Sequence, residues 1–83
     1  MQKSLYSRHY KAFLVELRAA RTRLGVTQEE LAARLDATQS FVSKCERGER
    51  RLDVAELRLW CRALGIRTSD FVSHYEKRLD RSR

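Results

Sequence analysis

The sequence predicts an all-α protein, a compact bundle of five helices with short connections. The 83 residues include no proline and three glycines, which disfavours a β-rich fold with many tight turns. Ala, Leu, Arg and Glu, which are good helix formers, dominate the composition. Apolar residues recur at steps of three and four through most of the chain, as they do in amphipathic helices.

Length, charge and cysteine usage limit the class of protein. This length predicts one domain, residues 1–83, with a modest core that needs no metal, cofactor or disulfide. The net charge of +7 predicts a polyanionic partner, nucleic acid before an anionic membrane surface. Cys45 and Cys61 lie at apolar helical positions without metal-ligand spacing, which predicts buried, reduced thiols. The sequence contains no apolar run long enough to predict a transmembrane helix or a signal peptide, so we expect a cytoplasmic protein.

The first helix is expected from about Ser7 to Leu24, ended by Gly25. Two short helices joined by a tight turn follow. Thr27 and Glu30 have the spacing of a capping box, Asp36 ends the second helix, and Thr38 offers an N-cap to the third. Gly48 can close the third helix in a left-handed conformation. The apolar positions expected to face inward are Tyr10, Phe13, Leu14, Leu17, Ala20, Leu24, Leu31, Ala32, Leu35, Val42 and Cys45.

After a basic loop at Glu49–Leu52, Asp53 is expected to cap a fourth helix over Val54–Leu64, which Gly65 stops. A fifth helix is expected from about Ser69 to Leu79, with 80–83 disordered. The predicted core stripe of the fourth helix is Val54, Leu57, Cys61 and Leu64, with Trp60 on its flank but still in the core. On the fifth helix, one side carries Phe71, Val72, Tyr75 and Leu79.

The outer face of the third helix is polar and basic. It presents Gln39, Ser40, Ser43, Lys44 and Arg47. These side chains donate and accept hydrogen bonds or carry positive charge, which suits the major groove of DNA, where base edges present a readable pattern of donors and acceptors.

Three sequence motifs, which follow one another in a fixed order, are similar to those of a known family. R-x-x-x-G-V-T-Q-E-E-L-A is followed by Q-S-x-V-S-K-x-E-R-G and then by E-L-x-x-W-C-x-A-L-G. From about Ala19 to Ile66 the chain resembles the Cro/C1-type, or XRE-type, helix-turn-helix regulators, with the fifth helix and basic tail at 67–83 beyond it. The resemblance implies a lambda-repressor-like fold and a sequence-specific regulator that binds double-stranded DNA. It also implies a bacterial or phage repressor that acts on the nucleoid as a homodimer at a palindromic operator.

The resemblance also implies roles for individual residues. Gln39, Ser40 and Lys44 match base-reading positions, and Ser43 could contact base or phosphate. The residues that match contacts to the DNA backbone are Thr27, Gln28, Arg47, Arg50 and Arg51. Arg21 and Glu46 match an ion pair between the first and third helices.

Two positions depart from the family pattern. Asp36 stands where the turn usually has glycine, and aspartate tolerates the left-handed region better than most residues. Phe41 stands where a small polar residue is common. Its ring could contact a thymine methyl group or form the edge of the core.

A dimer contact is expected from an apolar patch, because such patches mark interfaces. The predicted patch consists of Leu59, Phe71, Tyr75 and Leu79, and a second surface is offered by Leu5, Tyr6 and Tyr10.

Two alternative functions are compatible with the same fold: a DNA-binding antitoxin with a toxin as its protein partner, and a protein–protein adaptor. An enzyme is not expected, because the chain lacks a catalytic triad order, a Gly-rich phosphate loop and an HExxH motif.

Overall fold

The structure, a computed structural model, describes residues 8–81 and consists of five helices with no strand in that range. They are α1 (Arg8–Arg23), α2 (Gln28–Arg34), α3 (Gln39–Arg47), α4 (Val54–Leu64) and α5 (Thr68–Arg81). The all-α prediction is therefore confirmed. Asp80 and Arg81 continue α5, so the expected disorder at these two positions is wrong. The predicted surface at Leu5 and Tyr6 lies outside the described residues, as do the expected start at Ser7 and the end of the basic tail.

The helices begin and end at the residues that their capping chemistry favours. The Thr27 hydroxyl accepts from the Glu30 N–H at 3.0 Å, and the Glu30 carboxylate accepts from the Thr27 N–H at 2.8 Å. Asp53 and Glu56 form the same box at the start of α4. These reciprocal bonds satisfy amide donors that have no partner within the helix, which explains why α2 and α4 start where they do.

The core lies where all five helices meet. Its largest fully buried apolar side chains are Leu17, Leu31, Val42, Cys45, Trp60, Cys61 and Phe71. Val54 is 77% exposed, so its predicted place in the core is wrong: it is the first residue of α4, ahead of the buried positions Leu57 and Leu64. Leu24 is also exposed, because α1 ends one residue earlier and the chain turns there.

Helix α5 packs along α1. The Phe13 ring lies edge-on to the rings of Phe71 and Tyr75, with centroids 5.9 and 6.2 Å apart. The Tyr75 hydroxyl donates to the His9 carbonyl at 3.1 Å. Phe71, Leu79 and much of Tyr75 are thus covered by the chain itself.

That packing corrects the predicted dimer patch. Two amphipathic helices with facing apolar stripes bury those stripes against each other, so Phe71 and Leu79 offer no exposed surface to a second subunit. Val72, which the sequence places on the same side as Phe71, is exposed. Of the four predicted dimer-contact residues, Leu59 remains exposed, at 56%.

A buried acid ties α1 to α5. Glu16 is 1% exposed, and its two oxygens accept hydrogen bonds from two arginines. Arg23 Nη2 lies 2.9 Å from Oε2, and Arg78 Nη2 lies 3.0 Å from Oε1. A buried carboxylate is tolerated only when it is paired and hydrogen-bonded, and here both oxygens are. Because Arg23 is on α1 itself, the contact from Arg78 is the one that joins α1 to α5.

Candidate nucleic-acid interface

The turn between α2 and α3 sets the angle at which α3 leaves the body of the protein. Asp36 has φ of +57°, the left-handed conformation expected for the residue that replaces glycine. The Ala37 N–H donates to the Ala32 carbonyl at 2.9 Å, which closes the end of α2. The Thr38 hydroxyl then accepts from the Phe41 N–H at 3.1 Å, so α3 starts immediately after the turn.

Helix α3 separates an apolar inner face from a polar outer face. Val42 and Cys45 are fully buried against the core, as the sequence predicts. On the opposite side, Gln39, Ser40 and Lys44 are exposed, and Ser43 is half-buried. The outer face therefore consists of the residues expected to enter a major groove, and they are accessible there.

An ion pair fixes α3 against α1. Arg21 Nε lies 2.7 Å from Glu46 Oε2, and Nη2 lies 2.9 Å from Oε1, which is a bidentate pair. The Arg21 Nη1 also donates to the Val26 carbonyl at 2.8 Å. The two side chains are 8% and 4% exposed. The structure thus brings together the two residues that the resemblance pairs.

The buried pair continues as a hydrogen-bond chain to the outer face. Gln28 Nε2 donates to Glu46 Oε1 at 3.0 Å, and Gln39 Nε2 donates to Gln28 Oε1 at 2.6 Å. Gln39 uses one of its two side-chain N–H groups for the hydrogen bond to Gln28. Its second N–H and its carbonyl oxygen keep the donor and acceptor that an amide needs to pair with adenine N7 and N6.

The end of α3 and the loop that follows it carry three of the residues expected to contact the DNA backbone, Arg47, Arg50 and Arg51, which we call the clamp. Gly48 opens the loop with φ of +82°, and a Cβ added there would lie 2.8 Å from Leu14 Cδ1. A side chain at this position would meet backbone strain and would have to displace the end of the Leu14 side chain. The Arg51 guanidinium lies over the Tyr10 ring, 4.3 Å from its centroid, so α1 supports the loop along its length.

The other two clamp arginines, Arg47 and Arg50, each form an ion pair with a glutamate. Arg47 Nε and Nη2 lie 3.0 and 3.2 Å from the carboxylate oxygens of Glu49, and Arg47 also contacts the Ser43 hydroxyl. Arg50 Nη1 and Nη2 lie 2.9 and 2.7 Å from those of Glu56. The hydrogen bonds from Arg47 lower the pKa of Glu49, and those from Arg50 and the Asp53 backbone lower the pKa of Glu56 to about 2. Both carboxylates therefore stay charged near neutral pH.

Phe41 lies at the edge of the core. It is partly buried and packs against the buried cluster, and the Arg50 guanidinium lies 5.2 Å from the centre of its ring. Of the two interpretations open for this residue, the packing favours the core edge. The ring supports the Arg50 side chain by a cation–π contact.

The two cysteines are free and buried, as predicted, and desolvation raises the pKa of Cys45 to about 11. A thiol in that state is a poor nucleophile and a poor metal ligand. Among residues 8–81, no cluster of three or more His, Cys, Asp and Glu side chains could hold a metal ion. None of the described helices is both long and apolar enough to cross a membrane.

Some contacts of this surface escape sequence reasoning. Glu49 and Glu56 were not singled out as partners of the clamp, although an acid two residues from Arg47 and a capping-box acid six residues from Arg50 are visible in the sequence. The hydrogen bond between Gln28 and Gln39 depends on the turn geometry, because eleven residues separate them.

The comparisons with known proteins agree with this geometry. A family model described as "Helix-turn-helix" matches residues 17–71, which is more than half of the chain. The chain is similar to the solved structure of an XRE-family like protein from Pseudomonas syringae pv. tomato str. DC3000. The two share 46% sequence identity with a TM-score of 0.81, over 92% of this chain and 93% of that chain. No curated protein matches the chain.

Proposed function

The chain belongs to the XRE-type helix-turn-helix family, and from that premise we propose that it is a sequence-specific repressor that binds a palindromic operator as a homodimer. Membership supports the broader description, a DNA-binding transcriptional regulator rather than an enzyme. The observation that carries the finer proposal is the exposed face of α3, whose polar side chains are accessible and whose position is fixed by the buried Arg21–Glu46 pair.

Base reading is assigned to the first turns of α3. Gln39 presents an amide donor and acceptor to adenine, and its orientation is supported by Gln28. Ser40 and Lys44 lie on the same face, where lysine favours the O6 and N7 acceptors of guanine. Ser43 contacts Arg47, so its role is more consistent with the backbone than with a base.

Backbone contacts are assigned to the residues that flank this face. Gln28 is the first residue of α2, where unpaired N–H groups favour a phosphate, and Thr27 caps that helix. At the other end, Arg47 is the last residue of α3, and Arg50 and Arg51 lie in the loop that follows it. Such contacts supply most of the affinity for DNA and make it depend on salt.

We propose a homodimer because helix-turn-helix domains of this kind bind operators with approximate two-fold symmetry. Two subunits would place their recognition helices in successive major grooves, roughly 34–36 Å apart. With Phe71 and Leu79 buried, the most exposed large apolar side chains of the described residues are Val54 and Leu59, both on α4. Because five helical residues turn through about 140°, the two side chains point in different directions, and we assign the dimer contact to the face of α4 that carries Leu59. We expect the protein to act on bacterial or phage DNA, at the nucleoid.

Selection of bound duplexes from a random oligonucleotide pool tests the proposal. The expected result is a palindromic consensus whose half-sites are separated by about one helical turn. A single, non-repeated site would contradict the dimer, and recovery of no consensus would contradict sequence-specific binding.

A further inference from the structure

We propose that Glu49 and Glu56 restrain Arg47, at the end of α3, and Arg50, in the α3–α4 loop, in the free protein, and thereby set how tightly the chain binds DNA of any sequence. The inference rests on the proposed function, because it concerns the arginines assigned to the sugar–phosphate backbone. DNA binding then becomes an exchange in which a phosphate replaces a carboxylate beside each of these arginines.

The geometry of the two pairs carries the inference. Arg47 faces Glu49 with Nε and Nη2, and Arg50 faces Glu56 with Nη1 and Nη2, each through two hydrogen bonds of 2.7–3.2 Å. A guanidinium grips phosphate through the same paired N–H groups that it uses for a carboxylate. One of the paired N–H edges with which each arginine could grip a phosphate is therefore already occupied.

Both acids are attached to fixed backbone. The Glu56 carboxylate also accepts from the Asp53 N–H at 2.9 Å, as part of the cap of α4, so it cannot follow Arg50 toward a duplex without breaking that cap. The Glu49 N–H donates to the Lys44 carbonyl at 2.9 Å, which fixes its backbone to the end of α3. When the arginines turn to phosphate, the acids stay close to the DNA and repel it.

The pairs are exposed enough to exchange. The side chains of Arg47 and Glu49 are 53% and 55% exposed, and those of Arg50 and Glu56 are 44% and 31% exposed. Ion pairs in such surroundings are weak, so a phosphate can displace the carboxylate. Arg51 provides an internal contrast, because its guanidinium lies on the Tyr10 ring, an uncharged partner that does not repel a phosphate as a carboxylate does.

The effect on binding is independent of base sequence. Backbone contacts form on every duplex, whereas the contacts of Gln39, Ser40 and Lys44 favour one sequence. Weaker backbone contacts lower the affinity for every duplex by the same factor. Random DNA then stays largely unoccupied, while an operator that adds base contacts remains bound. The two acids thus favour discrimination at a given protein concentration without reading a base.

The experiment compares wild-type protein with Glu49→Gln, Glu56→Gln and Glu76→Gln. Glutamine at 56 keeps an acceptor for the Asp53 N–H, so α4 stays capped while the charge is removed. Glu76, an exposed acid on α5, is the matched control because its replacement makes the same change in net charge. Affinity for a duplex of scrambled sequence is measured by fluorescence anisotropy between about 50 and 200 mM KCl.

We expect each of the two loop variants to bind about two- to fivefold more tightly at the lowest salt concentration, which is the scale of an exposed ion pair. The slope of log K against log salt should change by less than about 0.9 in each loop variant, because Arg47 and Arg50 reach phosphate in the wild-type complex as well. Glu76→Gln should change both quantities less.

Unchanged or weaker binding by both loop variants would overturn the inference alone, since the acids would then be neutral or would help to orient the arginines. An equal gain in Glu76→Gln would also overturn it, because net charge would be the cause. If wild-type protein and every variant fail to bind any duplex, the proposed function falls together with the inference.

Discussion

Arg21–Glu46 and Arg50–Glu56 both join an arginine to a glutamate through two hydrogen bonds of 2.7–2.9 Å. They differ in their surroundings. The first pair lies between α1 and α3 with side chains 8% and 4% exposed, and the second lies on the surface beside the clamp loop. The comparison shows that the geometry of an ion pair does not define its role. Burial makes one pair a fixed structural element, and exposure makes the other exchangeable.

The buried pair is fixed because either charge alone would be costly. Arg21 has a third acceptor in the Val26 carbonyl, and Glu46 has a third donor in Gln28. Desolvation opposes burial of both ions, so the pair is better evidence for a specific arrangement of α1 and α3 than for net stability. That arrangement is what holds the outer face of α3 at a constant angle.

The largest effect is expected from Arg21→Ala. It leaves the Glu46 carboxylate buried with Gln28 as its remaining described donor, and should lower the free energy of unfolding by about 3–5 kcal/mol. Urea denaturation followed by circular dichroism measures this. Arg18→Ala is the matched control, because it removes an exposed arginine from the same helix and should cost at most about 0.5 kcal/mol. Similar losses in the two variants would mean that the buried pair is no more structural than a surface charge.

A smaller effect, on specificity rather than stability, is expected from Gln39→Ala. Loss of the amide removes one base contact, so discrimination at one operator position should fall by about 1–3 kcal/mol while binding to random DNA persists. Titration of operator duplexes that differ at single base pairs measures it. Gln28→Ala is a useful second variant. It breaks the hydrogen bonds that connect Glu46 to Gln39 but leaves the Gln39 amide in place, so it separates the orientation of that amide from its presence. If Gln39→Ala weakens binding to every duplex equally, Gln39 contacts the backbone instead.

The sequence predicts the helices and their caps well, because those features depend on residues close together in the chain. The Thr27 and Asp53 boxes and the left-handed Asp36 and Gly48 need only local spacing and backbone preference. The Arg21–Glu46 pair came from the family resemblance, not from the residues alone. Without that resemblance, nothing within the sequence connects two charges separated by 25 positions.

The failures have a common physical cause. Val54, Leu24 and Val72 satisfy a helical period, but a period does not show where the neighbouring helix ends, and these positions lie beyond the covered area. Phe71 and Leu79 were assigned to a partner subunit because the sequence does not show that α1 covers α5. The acids of the clamp were missed because exposed charges carry no periodic signal.

The exposed pair should respond differently to mutation. Arg50→Ala removes a weak surface interaction, so the unfolding transition should change little compared with Arg21→Ala. Its effect belongs to DNA binding, where affinity for all sequences should fall and the salt slope should become shallower by about 0.9. An unchanged salt slope, measured on the same scrambled duplex, would remove Arg50 from the backbone contacts.

The smallest expected effect is the pH dependence of the exposed pair. The pKa of Glu56 is about 2 in the folded protein, against an ordinary value of 4.5, because Arg50 and the Asp53 backbone favour its charged form. A lowered pKa stabilises the fold above pH 4.5, and this contribution disappears as the pH falls from 4.5 towards 2. The stability difference between wild type and Glu56→Gln should therefore shrink across that range in urea titrations. A difference that stays constant with pH would mean that the carboxylate acts through its shape as a cap, with no contribution from its charge.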